Sequence, residues 1–228
     1  MSGDLRVARV HFPVTVLGPG NRLGLWVQGC GLACPGCMSR DTWARDGGTA
    51  MTAESLAVMW RDALARGADG ITVSGGEPLD QADGLADLLG RIRRLPAARP
   101  ADILVYTGYE LAEARRRGPA VLALADAVIT GRYQVAEPTS LIWRGSANQR
   151  LVPLTALGRE RYLEYVGAQT ARPAVQIGSD ADGYWLVGVP RRGDLRRLEV
   201  ELGQRGIKLS GVSWRRGPVE TRSREEIR

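Results

Sequence analysis

Histidine, phenylalanine and lysine each occur once in this chain of 228 residues, at positions 11, 12 and 208. A single histidine leaves no His-centred constellation for general acid–base or nucleophilic chemistry. No apolar run approaches the roughly 20 residues that a membrane-crossing helix needs. The start, Met1-Ser2-Gly3-Asp4-Leu5-Arg6, lacks the basic and apolar segments of a secretory signal peptide. The expectation is a cytoplasmic protein, with no membrane partner and with its thiols reduced. Cysteine is scarce as well. All three cysteines fall in one stretch, Gly29-Cys30-Gly31-Leu32-Ala33-Cys34-Pro35-Gly36-Cys37. Three thiols cannot all pair, so a disulfide scaffold is excluded.

With 44% hydrophobic and 25% charged residues, the composition is that of a globular protein with a real core. The net charge of +6 is uneven, because residues 191–228 hold eleven basic and six acidic side chains. There Glu199, Glu201, Glu220, Glu225 and Glu226 interleave with the arginines, and no aromatic ladder accompanies them. That pattern suits a solvated helix face and a frayed end better than a nucleic-acid surface.

Strands are predicted at 7–10 and 14–17, split by Pro13, and at 23–28, which runs into the cysteines. Thr52 is placed to cap a helix reaching residue 66, with Leu56, Met59, Trp60 and Ala63 on its apolar face. Residues 70–74, 103–106 and 127–130 read as strands, and 81–94, 110–117 and 120–125 as helices. The alternation predicts an α/β protein of parallel βαβ units, curled into an open sheet or partial (β/α) barrel. Functional loops would gather at the strands' C-terminal ends.

The core is expected over 1–157, a connecting helix or linker over 158–173, an α+β extension over 174–212 and a basic flexible tail over 213–228. The extension reads ββαβ: strands at 174–177 and 184–189 about an Asp-Gly turn, a helix at 195–204, and a last strand at 207–212. Val175, Ile177, Leu186, Val187, Leu195, Leu198 and Leu202 are expected to bury against one another or the core edge. Arg191, Arg192, Arg196 and Arg197 would then face outward and steer an acidic partner.

The cysteine spacing is C-x3-C-x2-C. A structural zinc site would need a fourth ligand, and His11 sits in an early strand. Cys34-Pro35-Gly36-Cys37 has the C-x-x-C form of a redox dithiol, which gives Cys30 no role. A [4Fe–4S] cubane suits three thiolates on a compact loop, with its fourth iron open to a small chelating ligand.

The cysteine loop followed by a Gly-Gly-Glu turn resembles the radical S-adenosylmethionine (SAM) superfamily. More narrowly, several blocks resemble the activating enzymes of anaerobic (class III) ribonucleotide reductase. These are Gly18-Pro19-Gly20-Asn21-Arg22, Leu25-Trp26-Val27-Gln28-Gly29-Cys30, Cys34-Pro35-Gly36-Cys37 and Thr42-Trp43. Ser74-Gly75-Gly76-Glu77-Pro78-Leu79, Tyr106-Thr107-Gly108-Tyr109, and Ser140-Leu141-Ile142-Trp143-Arg144-Gly145-Ser146 with Asn148-Gln149 continue the match in order. Thr130 stands where an acidic residue is frequent in that family. The blocks cover residues 7–155, and the extension falls outside them.

The resemblance implies that Cys30, Cys34 and Cys37 ligate a [4Fe–4S] cluster whose open iron is chelated by SAM. It implies that Gly75, Gly76 and Glu77 line the methionine amino group, and that Thr107 and Tyr109 contact adenine or ribose. Arg22 would hold an anion or a backbone carbonyl, while Arg144, Ser146, Asn148 and Gln149 would meet SAM or a partner. Reductive cleavage of SAM by a flavodoxin- or ferredoxin-reduced cluster would yield a 5′-deoxyadenosyl radical. That radical would then take a glycine Cα hydrogen from the reductase. Two alternatives stand beside this reading: a radical SAM enzyme acting on another peptide or small molecule, and a non-catalytic cluster- or zinc-binding module. His11 is expected to be structural.

Overall fold

The computed structural model describes residues 4–96, 100–180, 183–210 and 212. Strands β2 (Arg22–Val27), β4 (Gly70–Gly75), β5 (Asp102–Tyr106) and β6 (Ala127–Thr130) run parallel. β1 (Leu5–Val14) and β3 (Thr49–Met51) extend the sheet antiparallel on one side, and β7 (Arg150–Pro153) on the other. The order is β3-β1-β2-β4-β5-β6-β7. The fold is α/β with an open, parallel-rich sheet, and no closed barrel forms among the described residues.

β1 continues through Pro13, which was expected to split it. The register with β2 shifts between His11 and Val14, and a residue lacking an N–H is accommodated at such an irregularity. β3 and β7 escaped the sequence reading because three or four residues are too few for alternation to register.

Alternation along the strands sorts the two faces. Leu25, Val27, Ile71, Val73, Ile103 and Val105 pack under α1 (Ala53–Ala65), α2 (Ala82–Arg94), α3 (Leu111–Arg117) and α4 (Pro119–Leu124). The Thr52 hydroxyl accepts from Ser55 N at 3.0 Å, capping α1 as expected. Leu56, Trp60 and Ala63 are buried, but Met59 lies at the edge of the stripe and is 38% exposed.

The opposite face is covered differently. Leu104, Ala127 and Ile129 pack against Trp143 and against Tyr162 of α5 (Ala156–Tyr162). Trp26 and Tyr106 pack with Val14 and Leu17 beneath a hairpin, β8 (Val175–Asp180) and β9 (Gly183–Gly188). The hairpin presents Trp185 and Val187, and the Trp185 ring centroid lies 3.9 Å from that of His11. Gln176 accepts from Thr15 N and donates to Pro13 O, fastening the hairpin to the end of β1.

The rest of the extension departs from expectation. Val175 and Ile177 lie on the side of the hairpin away from the core and are exposed. Helix α6 (Asp194–Gln204) buries no residue, so Leu195, Leu198 and Leu202 form no shared core with them. Residues 207–210 form no strand, which makes the described piece ββα rather than ββαβ. The tail over 213–228 lies outside the described residues. No described helix is long and apolar enough to cross a membrane.

The N-terminal ends of the parallel strands are closed by a buried ion pair. The Arg22 guanidinium, 0% exposed, donates to both Asp102 oxygens at 2.6 and 3.2 Å. It also donates to Thr72 Oγ1, Ile71 O and Pro19 O. Tyr162 O–H and Arg161 complete the shell around Asp102.

Candidate functional site

The C-terminal end of the sheet carries the cysteines. As β2 ends, the Gln28 amide donates to Asp41 O and Ala44 O, at 3.2 and 2.7 Å. Gly29 N then donates to Thr42 O at 2.7 Å and Cys30 N to Trp43 O at 3.1 Å. These bonds close the cysteine loop at its neck. Within it, Cys37 N donates to Cys34 O at 3.1 Å, across a turn where Gly36 takes φ +78°. That left-handed conformation is one glycine adopts without strain.

All three thiols are half-buried. Burial pushes the Cys30 and Cys37 thiols up, against backbone donors and, at Cys37, against a hydrogen bond with the Trp43 side chain. Cys34 and Cys30 add to the rise at Cys37, so the three sulfurs share one neighbourhood.

Strand β4 ends against the root of this loop. A Cβ on Gly76 would stand 2.1 Å from Gly29 O, and one on Gly75, at φ +106°, 2.5 Å from Val27 N and O. Neighbouring backbone therefore requires glycine at both positions. Gly76 N donates to Val27 O at 2.8 Å and Glu77 N to Gly29 O at 2.9 Å.

Glu77 is 1% exposed and its carboxylate is engaged three times. Oε1 accepts from Leu79 N and Thr107 Oγ1, at 3.0 and 2.7 Å, and Oε2 from Gly108 N at 2.8 Å. Burial pushes its pKa up to about 7 against the pull of these donors. The side chain expected beside an ammonium group instead clasps the end of β5.

Thr107 and Tyr109, expected at adenine or ribose, also turn inward. Thr107 holds Glu77. The Tyr109 hydroxyl donates to Asp80 Oδ1 at 3.1 Å, with the Arg117 guanidinium 4.1 Å from its ring centroid. Asp80 was missed by the sequence reading, although it lies in the short turn Pro78–Gln81 that follows Gly-Gly-Glu. Its Oδ2 accepts from Gly31 N at 3.3 Å and lies 3.6 Å from Arg45, so it steadies the loop beside Cys30.

Arg22 holds carbonyls, as expected, but as part of the Asp102 pair at the far end of the sheet. Arg144 is also taken up internally, donating to Ile142 O, Tyr165 O and Val166 O. Ser146 Oγ accepts from Gln134 N. Gln149 accepts from Gly145 N and Ser146 N and donates to Gly131 O. These groups brace the 131–149 segment.

Asn148 differs: its amide donates to Arg132 O, yet its Oδ1 is buried without a hydrogen-bond partner. Thr130 Oγ1, at the end of β6, is in the same condition. Buried polar atoms without protein partners mark places where a ligand or water completes the bonding.

Among the described residues no three His, Cys, Asp or Glu side chains gather closely enough to hold a single metal ion. A family model described as a 4Fe-4S single cluster domain matches residues 16–152. The anaerobic ribonucleoside-triphosphate reductase-activating proteins of Salmonella typhimurium and Escherichia coli are each 36% identical, over 146 and 144 residues. Each alignment covers 61% of this chain and 93% of the relative. The protein of that name from Enterobacteria phage T4 is 33% identical over 139 residues, covering 60% and 86%. By this match and by its cysteine loop, the chain belongs to the 4Fe–4S single-cluster family that contains the anaerobic ribonucleoside-triphosphate reductase-activating proteins.

Proposed function

We propose that this chain is a radical SAM enzyme that installs a glycyl radical on an anaerobic ribonucleotide reductase. The observation carrying the proposal is the arrangement at one sheet end. A three-thiol loop, closed at its neck, is bonded directly to the Gly75-Gly76-Glu77 turn, and two orphaned polar atoms lie at the end of β6 and just before β7. All the crossover helices lie on one face, which suits a sheet curved as a partial (β/α) barrel.

In this reading Cys30, Cys34 and Cys37 hold the [4Fe–4S] cluster. Bound together, cluster and SAM supply a one-electron reductive cleavage to methionine and a 5′-deoxyadenosyl radical, which takes a hydrogen atom. The protein supplies placement. Gly75 and Gly76 set the approach of the strand end to the loop, while Glu77 and Asp80, held by Thr107 and Tyr109, lock β4 and β5 around it. Thr130 Oγ1 and Asn148 Oδ1 offer hydrogen bonds to the bound cofactor. A flavodoxin or ferredoxin is the reductant, and the reaction takes place in the cytoplasm. The residues beyond the matched 16–152 favour a second reading, in which the same chemistry acts on a different polypeptide.

The test is anaerobic cluster reconstitution followed by SAM and dithionite. Expected are broad visible absorbance and 5′-deoxyadenosine, then a glycyl-radical signal when the reductase is added. Bound zinc without that absorbance would overturn the cluster. 5′-Deoxyadenosine without a radical on the reductase would favour the second reading.

A further inference from the structure

A groove of about 520 Å³ lies between the loops that follow β1 and β6 and the segments on either side of the hairpin. One wall belongs to the core: the Gly18-Pro19-Gly20 turn, Tyr133 and residues 138–145. The other wall is residues 170–174 and 189–192, beyond the family match. Tyr133 joins the groove to the cysteine loop. A Cβ on Gly36 would lie 3.4 Å from one edge of its ring, and one on Gly145 would lie 2.9 Å from another.

The lining contains four arginines and neither aspartate nor glutamate. Two are committed: Arg144 caps carbonyls, and Arg191 donates to Thr170 O. Arg172 and Arg192 are exposed and form no ion pair among the described residues. By contrast, Arg196 and Arg197 do not line the groove, and Arg197 faces Asp194 at 3.7 Å. Of the four arginines expected to steer a partner, only Arg191 and Arg192 reach the groove. The lining is thus uniformly basic where it is charged, and Arg192 lies close enough to Tyr133 to act on its hydroxyl electrostatically.

We infer that this groove receives an extended acidic segment of the protein substrate. Its carboxylates are held by Arg172 and Arg192, and its main chain passes Tyr133 toward the cysteine loop. The inference rests on the activase reading, which requires a polypeptide backbone to reach that loop. Guanidinium groups take carboxylates in paired hydrogen bonds, which gives such a segment a fixed register. A nucleotide fits less well. No helix begins in the lining, and the Gly18-Pro19-Gly20 turn leads into a strand rather than a phosphate-binding helix.

The test uses the full-length, cluster-loaded protein and three probes: a labelled octapeptide with a central glycine between Asp and Glu residues, its Lys-substituted counterpart, and ATP. The acidic peptide is expected to bind, the lysine peptide not to bind, and ATP not to displace the acidic one. Arg172→Glu with Arg192→Glu should weaken binding at least about tenfold, and high salt should weaken the parent similarly. The milder Arg172→Gln with Arg192→Gln, which guards against misfolding, should give an intermediate loss. Cleavage of SAM without any partner should be equal in all variants. Equal binding of both peptides, unchanged affinity in the double variants, or displacement by ATP alone would overturn the inference. A parent that binds the acidic peptide through these arginines but cleaves no SAM would instead overturn the activase reading.

Discussion

At the N-terminal ends of β2 and β5, Arg22 and Asp102 are wholly buried and doubly bonded to each other, inside a shell of Thr72, Tyr162 and Arg161. At the C-terminal ends of the same sheet, bare glycine backbone meets bare backbone, thiols stay half-exposed and two buried oxygens lack partners. One end satisfies every polar group it buries; the other leaves valences for something not made of protein. The difference teaches where in this sheet stability and chemistry are kept apart, and substitutions can test that separation.

The largest effect is expected at the open end and concerns only binding. Cys34→Ala should abolish cluster-dependent absorbance and SAM cleavage, yet leave the urea midpoint of the cluster-free protein within about 0.5 kcal/mol of the parent. Loss of fold along with the cluster would erase the distinction between the two ends. At the closed end Asp102→Ala strands a buried guanidinium, so a loss of about 3–5 kcal/mol is expected by chemical denaturation. Cluster assembly in whatever remains folded should be unchanged.

Gly76→Ala sharpens the comparison, because it strikes backbone at the open end. The Cβ would force Gly29 away, at a cost of about 2–4 kcal/mol, and cluster loading should fall with it. Gly67→Ala is its control. Gly67 has φ +87° but nothing within 4 Å, so only about 1 kcal/mol of backbone strain is expected.

The most gradual effect is a pH dependence. Burial raises the Glu77 carboxyl from 4.5 to about 7, so the folded chain holds this proton more tightly than the unfolded chain does. Its stabilising contribution is complete below pH 4.5, is lost as pH rises toward 7 and is flat above that. The slope should sum to about 2–3 kcal/mol, and Glu77→Gln should remove it in a urea series from pH 5 to 8. A parent and a variant with equal slopes would mean that the three donors outweigh burial.

The helices and central strands were legible in the sequence because Leu85, Leu88, Leu89 and Ile92, or Ile71 and Val73, repeat at the period of their element. The cysteine loop was legible because three rare residues share one stretch. Side-chain direction was not. Arg22, Thr107 and Arg144 stand in polar motif blocks that read as ligand contacts, but each finds its partner far along the chain: Asp102, Glu77 and Val166. The two glycines before Glu77 stood out in the sequence, but the backbone that Gly76 meets, the carbonyl of Gly29, is 47 residues away. Asp80 drew no attention because one carboxylate at a turn has no periodicity to betray it, and Thr130 stood out only as a departure from the acidic residue frequent in the resembled family.

The neck of the cysteine loop has a consequence for the entropy of loading. Residues 30–41 are pinned at both sides by Gly29 to Thr42, Cys30 to Trp43 and the Gln28 amide, bonds formed by protein alone. Bringing the ends of a free loop together costs conformational entropy that rises with the logarithm of its length. Here that closure belongs to folding of the sheet, so an incoming cluster has only the interior of the loop to order.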